Sequence, residues 1–363
     1  MTFMNRKKHS MDKPLLSVLL TAAMLCHASM AAAEVNYKIV TASERGTYIK
    51  IGRDLAQFVA PSADIQLDVL PSAGSAENVR LLRYEPGVKL ALVQSDVYQS
   101  FIDIAAAGNS AARALIRPLR VIMPLYNEEI YFIVRADSER NFIHEIKNAK
   151  LNAGAAGSGT ALTSATLYRL MFNEAMPDSA SYLSNEEALA KLVTDKTLDV
   201  VAVVAGQPAK LLVDMKPESR KLIKLLKFDP GHPSSEAVLK TYFPANVRAS
   251  NYPNLLAADI PGLAVKAFLV TYDFQLRDTE SHLRGMARSL CQNFSQLREK
   301  GHPKWGEVEL ALPELGRGWT YYGPTARELR SCVAETARQG AVAKSRQPAK
   351  MCSQQERILG LCP

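Results

Sequence analysis

The residues best suited to chemistry in this chain lie in four short turns, each of which ends an apolar run and opens a helical pattern. Small, hydroxyl and amide side chains dominate the four segments, which span residues 39–48, 69–78, 91–96 and 152–160. A helix N-terminus offers unpaired backbone N–H groups and a partial positive charge, which can hold an anion without a metal ion or a catalytic side chain. The turns therefore predict the binding of a small molecule, and of a carboxylate in particular.

The loop at residues 154–160 carries the strongest local signal for a binding site. Gly157 and Gly159 allow the backbone to approach a ligand closely, and Ser158 and Thr160 supply hydroxyl groups. The same pattern is typical of an ordinary helix N-cap, so the loop by itself favours neither interpretation. The three similar turns elsewhere in the chain favour a ligand-binding site.

No constellation for catalysis or metal binding stands out in the sequence. The histidines beyond residue 33 form no spaced metal motif, and neither a Gly-x-Ser-x-Gly elbow nor a glycine-rich phosphate loop is present. Glu77 and Asp96 could form a pair of catalytic carboxylates, but acids at helix starts more commonly cap the helix or interact with its dipole. We therefore expect a binding protein without catalytic residues, metal or cofactor.

The elements that would position these turns alternate between strand and helix, which predicts a parallel sheet with right-handed crossovers. In such a sheet the turns after the strands gather at one edge. The first three strand–helix pairs are expected at residues 35–41 and 47–59, 65–70 and 75–83, and 89–93 and 95–107.

The order of the later elements predicts two lobes joined by crossing strands. Strands at residues 119–125 and 129–135 have no room for a crossover between them, and we interpret them as the passage out of the first lobe. Residues 265–272 form a strong strand that we interpret as the return crossing. Residues 206–208 open a further helix with Pro208 in its first turn. Other expected features are a strand at 150–153, a helix at 160–172, a strand at 198–204, surface connections over 228–262, a helix at 283–297 and a helix at 325–338 that ends at Gly340.

Residues 1–33 have the order of a secretory signal peptide. A basic segment, an apolar run at residues 15–25 and three alanines ending at Ala33 follow one another, so we expect cleavage near Ala33 and a periplasmic protein. A retained membrane anchor and lipidation of Cys26 are the alternatives. The predicted organisation is a signal peptide (1–33), lobe 1 (34–128), lobe 2 (129–263), a return to lobe 1 with C-terminal helices (264–340) and a basic, cysteine-bearing tail (341–363).

The formal net charge of +8 falls to +5 without the predicted signal peptide. A basic protein can bind nucleic acid, but an exported protein without basic and aromatic residues interleaved more typically has a solvated basic face. The basic charge also favours acidic ligands or an anionic membrane surface.

Four cysteines remain beyond residue 33, and an even number in an exported chain fits disulfide bonds. Of the three possible connectivities, we expect Cys291 with Cys332 and Cys352 with Cys362. Free thiols and a metal site are the alternatives, but no Cys-x-x-Cys spacing is present and only His302 lies nearby.

Four motifs occur in a fixed order in the turns: Gly-Thr-Tyr at 46–48, Pro-Ser-Ala-Gly-Ser-Ala-Glu-Asn at 71–78, Ala-Leu-Val-Gln-Ser-Asp at 91–96 and Ala-Gly-Ser-Gly-Thr at 156–160. Together they resemble the TAXI family of solute receptors that serve TRAP transporters, over residues 36–325. The resemblance implies an α/β fold of periplasmic-binding-protein type II, with two hinge-linked lobes and a central cleft. It implies that the residues facing the cleft are Thr47, Tyr48, Ser75, Gln94, Asp96, Ser158 and Thr160, with Gln207 at a further helix end; a place in the hydrophobic core is the alternative for Tyr48.

The sequence departs from the family pattern at the mouth of the expected cleft. Residues 42–45 replace a more glycine-rich stretch, and Ala73 replaces a glycine. Arg45 either pairs with an anionic ligand through its fork-shaped guanidinium or stays solvated. These changes concern the identity of the ligand more than the fold.

The expected function is that of an extracytoplasmic receptor for a small organic anion, such as an acidic amino acid or a dicarboxylate. By resemblance, it delivers this ligand to the permease of a TRAP transporter driven by an ion gradient, meets the membrane only through that permease, and binds no nucleic acid. The alternatives are a sensory protein that signals ligand occupancy to a membrane partner and, less favoured, an enzyme on the same fold.

Overall fold

A computed structural model describes residues 34–316, 318–345 and 355 of the 363-residue chain. The fold belongs to the compact unit that begins at Val35. The predictions for the signal peptide, for Cys26 and for the pairing of Cys352 with Cys362 lie outside the described residues.

The described strands form a single mixed sheet. Their bounds are β1 Val35–Val40, β2 Ile65–Leu70, β3 Val88–Gln94, β4 Leu119–Arg135, β5 Leu151–Asn152, β6 Val200–Ala205, β7 Ile223–Leu225, β8 Phe243–Val247 and β9 Ile260–Tyr272. The order across the sheet is β2-β1-β3-β9-β4-β6-β5, with β7 paired to β4 and β8 paired to β9. We call lobe 1 the part built on β1–β3 and lobe 2 the part built on β5–β8, since β4 and β9 run through both.

Helices cover the sheet and join the strands. Their bounds are α1 Thr47–Phe58, α2 Ser75–Tyr84, α3 Val97–Ala106, α4 Ser110–Ile116, α5 Gly159–Phe172, α6 Asn185–Ala190, α7 Lys210–Val213, α8 Pro217–Arg220, α9 Ser235–Val238, α10 Arg277–Gln292, α11 Phe294–Lys300 and α12 Gly323–Ser345.

Lobe 1 has the predicted alternation of strand and helix. β1 pairs in parallel with β2 and with β3, because α1 and α2 each carry the chain back across the sheet before the next strand begins. α1 buries Ile51 and Leu55 on the face that its apolar spacing predicts. The predicted bounds of β2 are confirmed, and those of β1 and β3 are within one residue.

The strands β4 and β9 connect the two lobes. The prediction of two strands at 119–125 and 129–135 is wrong, because β4 is one strand of 17 residues. It has an extra residue relative to β9 at two bulges, between Val121 and Met123 and between Pro124 and Asn127. Glu128 and Glu129, after the second bulge, interrupt the apolar pattern without ending the strand, since Tyr48 and Gln207 donate hydrogen bonds to their carboxyl groups.

Four other predicted elements differ from the structure. The segment 228–262 contains the edge strand β8, of which only the last residue is buried, so its sequence lacks the apolar pattern of an inner strand. Pro208 precedes α7 instead of lying in its first turn, and its peptide bond with Gln207 is cis. The helix expected at 283–297 is two helices, which meet at Asn293. α12 continues beyond Gly340, because alanine and valine in the next turn tolerate a helix.

Each lobe covers both faces of its sheet with apolar residues. Two buried clusters lie in lobe 1 and two in lobe 2, which is the layered arrangement of an α/β protein. Leu162 of α5 packs into a cluster of lobe 1, so the lobes touch. The predicted two-lobed α/β fold is thus confirmed, while the residue bounds of the lobes stay a prediction.

A disulfide bond joins Cys291 to Cys332 and ties α10 to α12, which confirms the first of the two predicted pairs. Within the described part of the chain, no helix combines the length and the apolar character needed to cross a bilayer.

Candidate ligand-binding site

A cavity of about 1230 Å³ lies between the two lobes. Lobe 1 contributes the turn after β1, the start of α1 and the segment 302–307. Lobe 2 contributes the starts of α5 and α6, the end of β6 and the residues that follow it. Nine of the eleven predicted ligand-binding residues line this cavity: Arg45, Thr47, Tyr48, Ser75, Gln94, Ser158, Gly159, Thr160 and Gln207.

The other two predicted residues, Asp96 and Gly157, lie where the lobes touch. Asp96 is fully buried, and its Oδ2 accepts hydrogen bonds from Thr163 Oγ1 at 2.6 Å and from Tyr242 at 3.0 Å. Burial raises the pKa of Asp96 to about 6, although both hydrogen bonds oppose the rise. The carbonyl of Gly157 accepts a hydrogen bond from the backbone N–H of Glu77 at 3.3 Å. Both residues therefore hold lobe 1 to lobe 2, and ligand binding by them stays a prediction.

Asp96 begins a row of polar contacts between α3 and α5, which we call the α3–α5 ladder. Positions three or four residues apart lie on one stripe of each helix, so successive pairs face each other. The pairs are Asp96–Thr163, Ser100–Thr166 and Asp103–Arg169.

Ser75, Gln94 and Gly159 form a close contact between the lobes. Ser75 Oγ accepts a hydrogen bond from the backbone N–H of Gln94 at 3.0 Å, and both side chains are buried. A Cβ added to Gly159 would lie 1.8 Å from Gln94 Oε1. Because Gly159 has no side chain, the Gln94 and Ser75 side chains of lobe 1 can pack against its backbone, which also lines the cavity.

The hydroxyl groups of Ser158 and Thr160 also make hydrogen bonds within the protein. Ser158 Oγ caps α5 by accepting from the N–H of Ala161 at 3.0 Å. Thr160 Oγ1 accepts from the N–H of Val204 at 3.1 Å. Each hydroxyl keeps its own O–H donor and a second lone pair, so both can still bind a ligand.

The pair of Tyr48 and Glu128 lies at the cavity wall, where β4 passes from one lobe to the other. Tyr48 donates its hydroxyl hydrogen to Glu128 Oε2 at 2.6 Å. Glu128 is only 6% exposed, yet it lines the cavity. Burial raises the pKa of Glu128 to about 8; the hydrogen bond from Tyr48 and the charge of Lys304 oppose the rise, and the charge of Glu129 adds to it.

Glu129 and Gln207 organise the wall that lobe 2 contributes. The backbone N–H of Gln207 donates to Glu129 Oε2 at 2.8 Å, and its Nε2 donates to Oε1 at 2.9 Å. Gln207 Oε1 accepts from the N–H of Arg248 at 2.8 Å. Burial raises the pKa of Glu129, and the hydrogen bonds from Gln207 oppose the rise. Gln207 therefore lines the cavity with its side-chain amide already bonded to two neighbouring segments, β4 through Glu129 and residues 246–251 through Asn246, Arg248 and Asn251.

Lys304 places a buried cation beside these acids. It is 3% exposed, and its Nζ lies 2.7 Å and 2.8 Å from the two carboxylate oxygens of Glu307. A Cβ on Gly206 would lie 2.6 Å from Lys304 Cε, so this glycine makes room for the lysine of the other lobe. Sequence reasoning missed Glu128, Glu129 and Lys304, and the one available signal was the pair of acids inside an apolar strand.

The charges that line the cavity nearly balance. Among the described lining residues, five Lys or Arg side chains face five Asp or Glu side chains, and with Glu128 neutral below pH about 8 the lining carries a net charge of +1. Arg45 lies 3.7 Å from Glu186 across the mouth, but both side chains are mostly exposed, so this ion pair adds little stability. The pairs formed with lining acids are Arg45–Glu186, Lys210–Asp214 and Lys304–Glu307, which leaves Lys50 and Arg248 as the cations available to an anion.

In the described part of the chain, no group of three or more His, Cys, Asp or Glu side chains is arranged to hold a metal ion.

Comparison with known proteins gives a family and a set of distant structural likenesses. Residues 39–313 match the model of the NMT1-like family, which is more than half of the chain. Comparison with curated proteins gave no significant match.

The solved structures that resemble the chain include binding proteins. XAC2383 from Xanthomonas citri, solved with ATP bound, is 13% identical, with 84% of this chain and 97% of that chain covered and a TM-score of 0.43. The periplasmic binding protein BugD is 14% identical, with coverages of 85% and 97% and a TM-score of 0.43. A binding-protein component of an ABC phosphonate transporter from Pseudomonas aeruginosa is 13% identical, with coverages of 86% and 100% and a TM-score of 0.41. Similarity at this level does not identify the ligand of this chain or the role of any of its residues.

Proposed function

The chain belongs to the NMT1-like family, and from that premise we propose that it is a solute receptor, which captures a small organic anion in the cavity between its lobes and releases it to a membrane transporter. The observation that carries the proposal is the cavity itself. It is lined from both lobes, so a bound molecule contacts both and favours their approach over their separation. Its volume of about 1230 Å³ accommodates a small molecule with water, since ligand pockets commonly measure roughly 300–1,000 Å³.

The electrostatics of the lining support an anion as the ligand. Lys50 and Arg248 are the cations without a partner among the lining acids, and the neutral form of Glu128 leaves the lining positive at pH 7. The starts of α5 and α6 both border the cavity, and α5 is long enough to add a useful dipole at Gly159 and Thr160. An acidic amino acid or a dicarboxylate fits these features.

The finer proposal is that the receptor works in the periplasm with a TRAP-type permease, as a member of the TAXI group. Its support is the coincidence of motif and cavity: the Gly-Thr-Tyr start of α1 and the loop before α5 both lie on the lining. The protein acts by binding and not by catalysis, so it should release its ligand chemically unchanged.

Recovery of the natural ligand tests the receptor function. The protein is produced with its own N-terminal segment in a bacterial host, purified from the periplasm and denatured, and the released small molecules are identified by mass spectrometry. We expect one dominant organic anion, which raises the melting temperature of the refolded protein and is recovered unaltered after long incubation. A consumed or modified anion, or failure of every small carboxylate to bind, would overturn the proposal.

Transport by whole cells tests the choice of partner. Deletion of the gene should abolish uptake of the radiolabelled ligand. Collapse of the ion gradient at constant ATP should stop uptake in the parent strain, whereas depletion of ATP at a constant gradient should not. The opposite pattern would replace the TRAP permease with an ATP-driven one and leave the receptor function intact.

A further inference from the structure

Glu128 is a buried acid on the cavity wall, and the proposed function does not by itself give it a role. We infer that Glu128 meets the ligand as a neutral carboxylic acid and donates its hydrogen from Oε1 to a carboxylate oxygen of the bound anion, so that the ligand and one proton are held together. This inference rests on the proposed receptor function and adds the group that selects the ligand.

The geometry leaves one carboxyl oxygen of Glu128 available. Tyr48 donates to Oε2 at 2.6 Å, so Oε2 acts as an acceptor. No hydrogen bond to Oε1 occurs within the described residues, and the residue lines the cavity while being only 6% exposed. Oε1 is not among the fully buried, unpartnered polar atoms of the described residues, so it is accessible, and the open side of Glu128 is the cavity.

The charged and titratable groups around Glu128 favour its neutral form. Glu129 on the same strand and Asp96 at the start of α3 both repel a negative charge there. The attraction of Lys304 acts the other way, but its Nζ is within 2.8 Å of both oxygens of Glu307. The tyrosines that face the carboxyl, Tyr48, Tyr126 and Tyr131, are neutral, because burial raises the pKa of each well above its ordinary value. Burial raises the pKa of Glu128 itself to about 8.

The neutral acid selects the chemistry of the ligand. A carboxylic acid and a carboxylate share a short, charge-assisted hydrogen bond, whereas two carboxylates side by side repel. A ligand that presented an ammonium group to the same oxygen would instead bind the ionised form of Glu128. The two ligand classes therefore give pH dependences of opposite sign.

The test is calorimetric binding of two probes, succinate and L-glutamate, at pH 6 and pH 9. If only the neutral acid binds the anion, the apparent Kd rises by the factor 1 + 10^(pH − pKa). With a pKa of about 8, affinity at pH 9 should be about 11-fold weaker than at pH 6. Titration in buffers of different ionisation enthalpy should show almost no proton uptake for L-glutamate at pH 6, where its carboxyl groups are ionised, and about 0.9 proton per succinate at pH 9.

Two variants separate Glu128 from the other acids of the cavity. Glu128→Gln keeps a neutral side chain with a donor and an acceptor, so its affinity should not change between pH 6 and pH 9. Glu44→Gln removes an exposed acid of the same lining and should keep the 11-fold loss. If Glu128→Gln does not fold, Tyr48→Phe replaces it: loss of the hydrogen bond that lowers the pKa of Glu128 should move the loss of affinity to higher pH.

The outcomes distinguish this inference from the function on which it rests. Binding of a probe with equal affinity at both pH values, or more tightly at pH 9, overturns the role of Glu128 and leaves the receptor function standing. Failure of succinate, L-glutamate and every other small carboxylate at both pH values overturns the receptor function for anions, and this inference with it.

Discussion

The approach of Gly159 to lobe 1 predicts that Gly159→Ala weakens the contact between the lobes. A Cβ at this position would lie 1.8 Å from Oε1 and 2.6 Å from Cδ of Gln94, and 2.9 Å from Ser75 Oγ. Non-bonded heavy atoms settle at roughly 3.5 Å. Gln94 is only 3% exposed, so either its side chain is forced out of place or the lobes separate by roughly 1.5 Å at this point.

The expected magnitude follows from the cost of overpacking. Alanine suits the first turn of α5 better than glycine does, so the helix itself is not weakened. Insertion of a methyl group into a filled contact typically costs about 1–3 kcal/mol. For an equilibrium between lobes in contact and lobes apart, that cost lowers the population in contact, relative to the separated one, by roughly 5- to 150-fold.

Hydrogen exchange at the backbone amide of Glu77 measures this change directly. The amide lies in the first turn of α2, where it has no acceptor within the helix, and it donates instead to the carbonyl of Gly157 in the other lobe. Its exchange should accelerate in Gly159→Ala by the factor given above. Gly316→Ala is the matched control, because an added Cβ meets no atom within 4 Å there.

A second variant tests whether the clash with Gln94 is the cause. Gln94→Ala combined with Gly159→Ala removes two of the three atoms that the new methyl group would meet, and slow exchange at Glu77 should return. Unchanged exchange in Gly159→Ala, in a protein that melts cooperatively, would refute the reasoning.

Three further predictions concern the cap, the buried acid and the disulfide. Ser158→Ala should cost about 1 kcal/mol of stability through loss of the cap and should weaken binding of the natural ligand, measured by calorimetry, roughly ten- to a hundredfold. Asn109→Ala removes a similar cap from α4 and should leave the affinity unchanged. Equal affinities in the two variants would contradict the site. The folded protein holds a proton on Glu128 that the unfolded chain, with a pKa near 4.5, has released, so urea unfolding between pH 6 and pH 8 should show stability falling by up to about 1.4 kcal/mol per pH unit; the same slope in Glu128→Gln would assign it to another group. Cys291→Ala with Cys332→Ala opens a loop of 41 residues, which should lower the free energy of unfolding by about 4 kcal/mol, and an unchanged denaturation midpoint would exclude that contribution.

Local pattern was enough to predict the elements of lobe 1. The apolar spacing of residues 47–59 and the alternation of apolar and polar residues that begins at Ile65 each had one plausible structure, and the turns between them follow from small residues and caps. The same reasoning failed at 119–135 because polar side chains inside a strand resemble a break in the chain. It also failed at β8, where an exposed edge strand has no apolar alternation to detect.

Only those residues of the candidate site that lie in turns and at helix starts could be predicted from the sequence. Residues at helix starts, such as Ser75 and Ser158, were found because their type and position have a local cause. The partner of Tyr48 is 80 residues away in sequence, and Lys304 comes to the wall from a segment without regular pattern. Those contacts depend on how the sheet brings distant segments together, which no local spacing encodes.

The second bulge of β4 has a mechanical consequence. It lies between Pro124 and Asn127, immediately before Glu128, and β4 and β9 are paired on both sides of it. The lobes therefore have no free linkers at these strands, and a change of angle between them must twist this short stretch of ladder. Under the role inferred for Glu128, a bound anion would contact the strand immediately beyond this bulge, where the ladder is locally disrupted. If the proposed receptor function holds, a membrane partner would need to sense only the angle between the lobes, and no chemical feature of the ligand, to distinguish the loaded protein from the empty one.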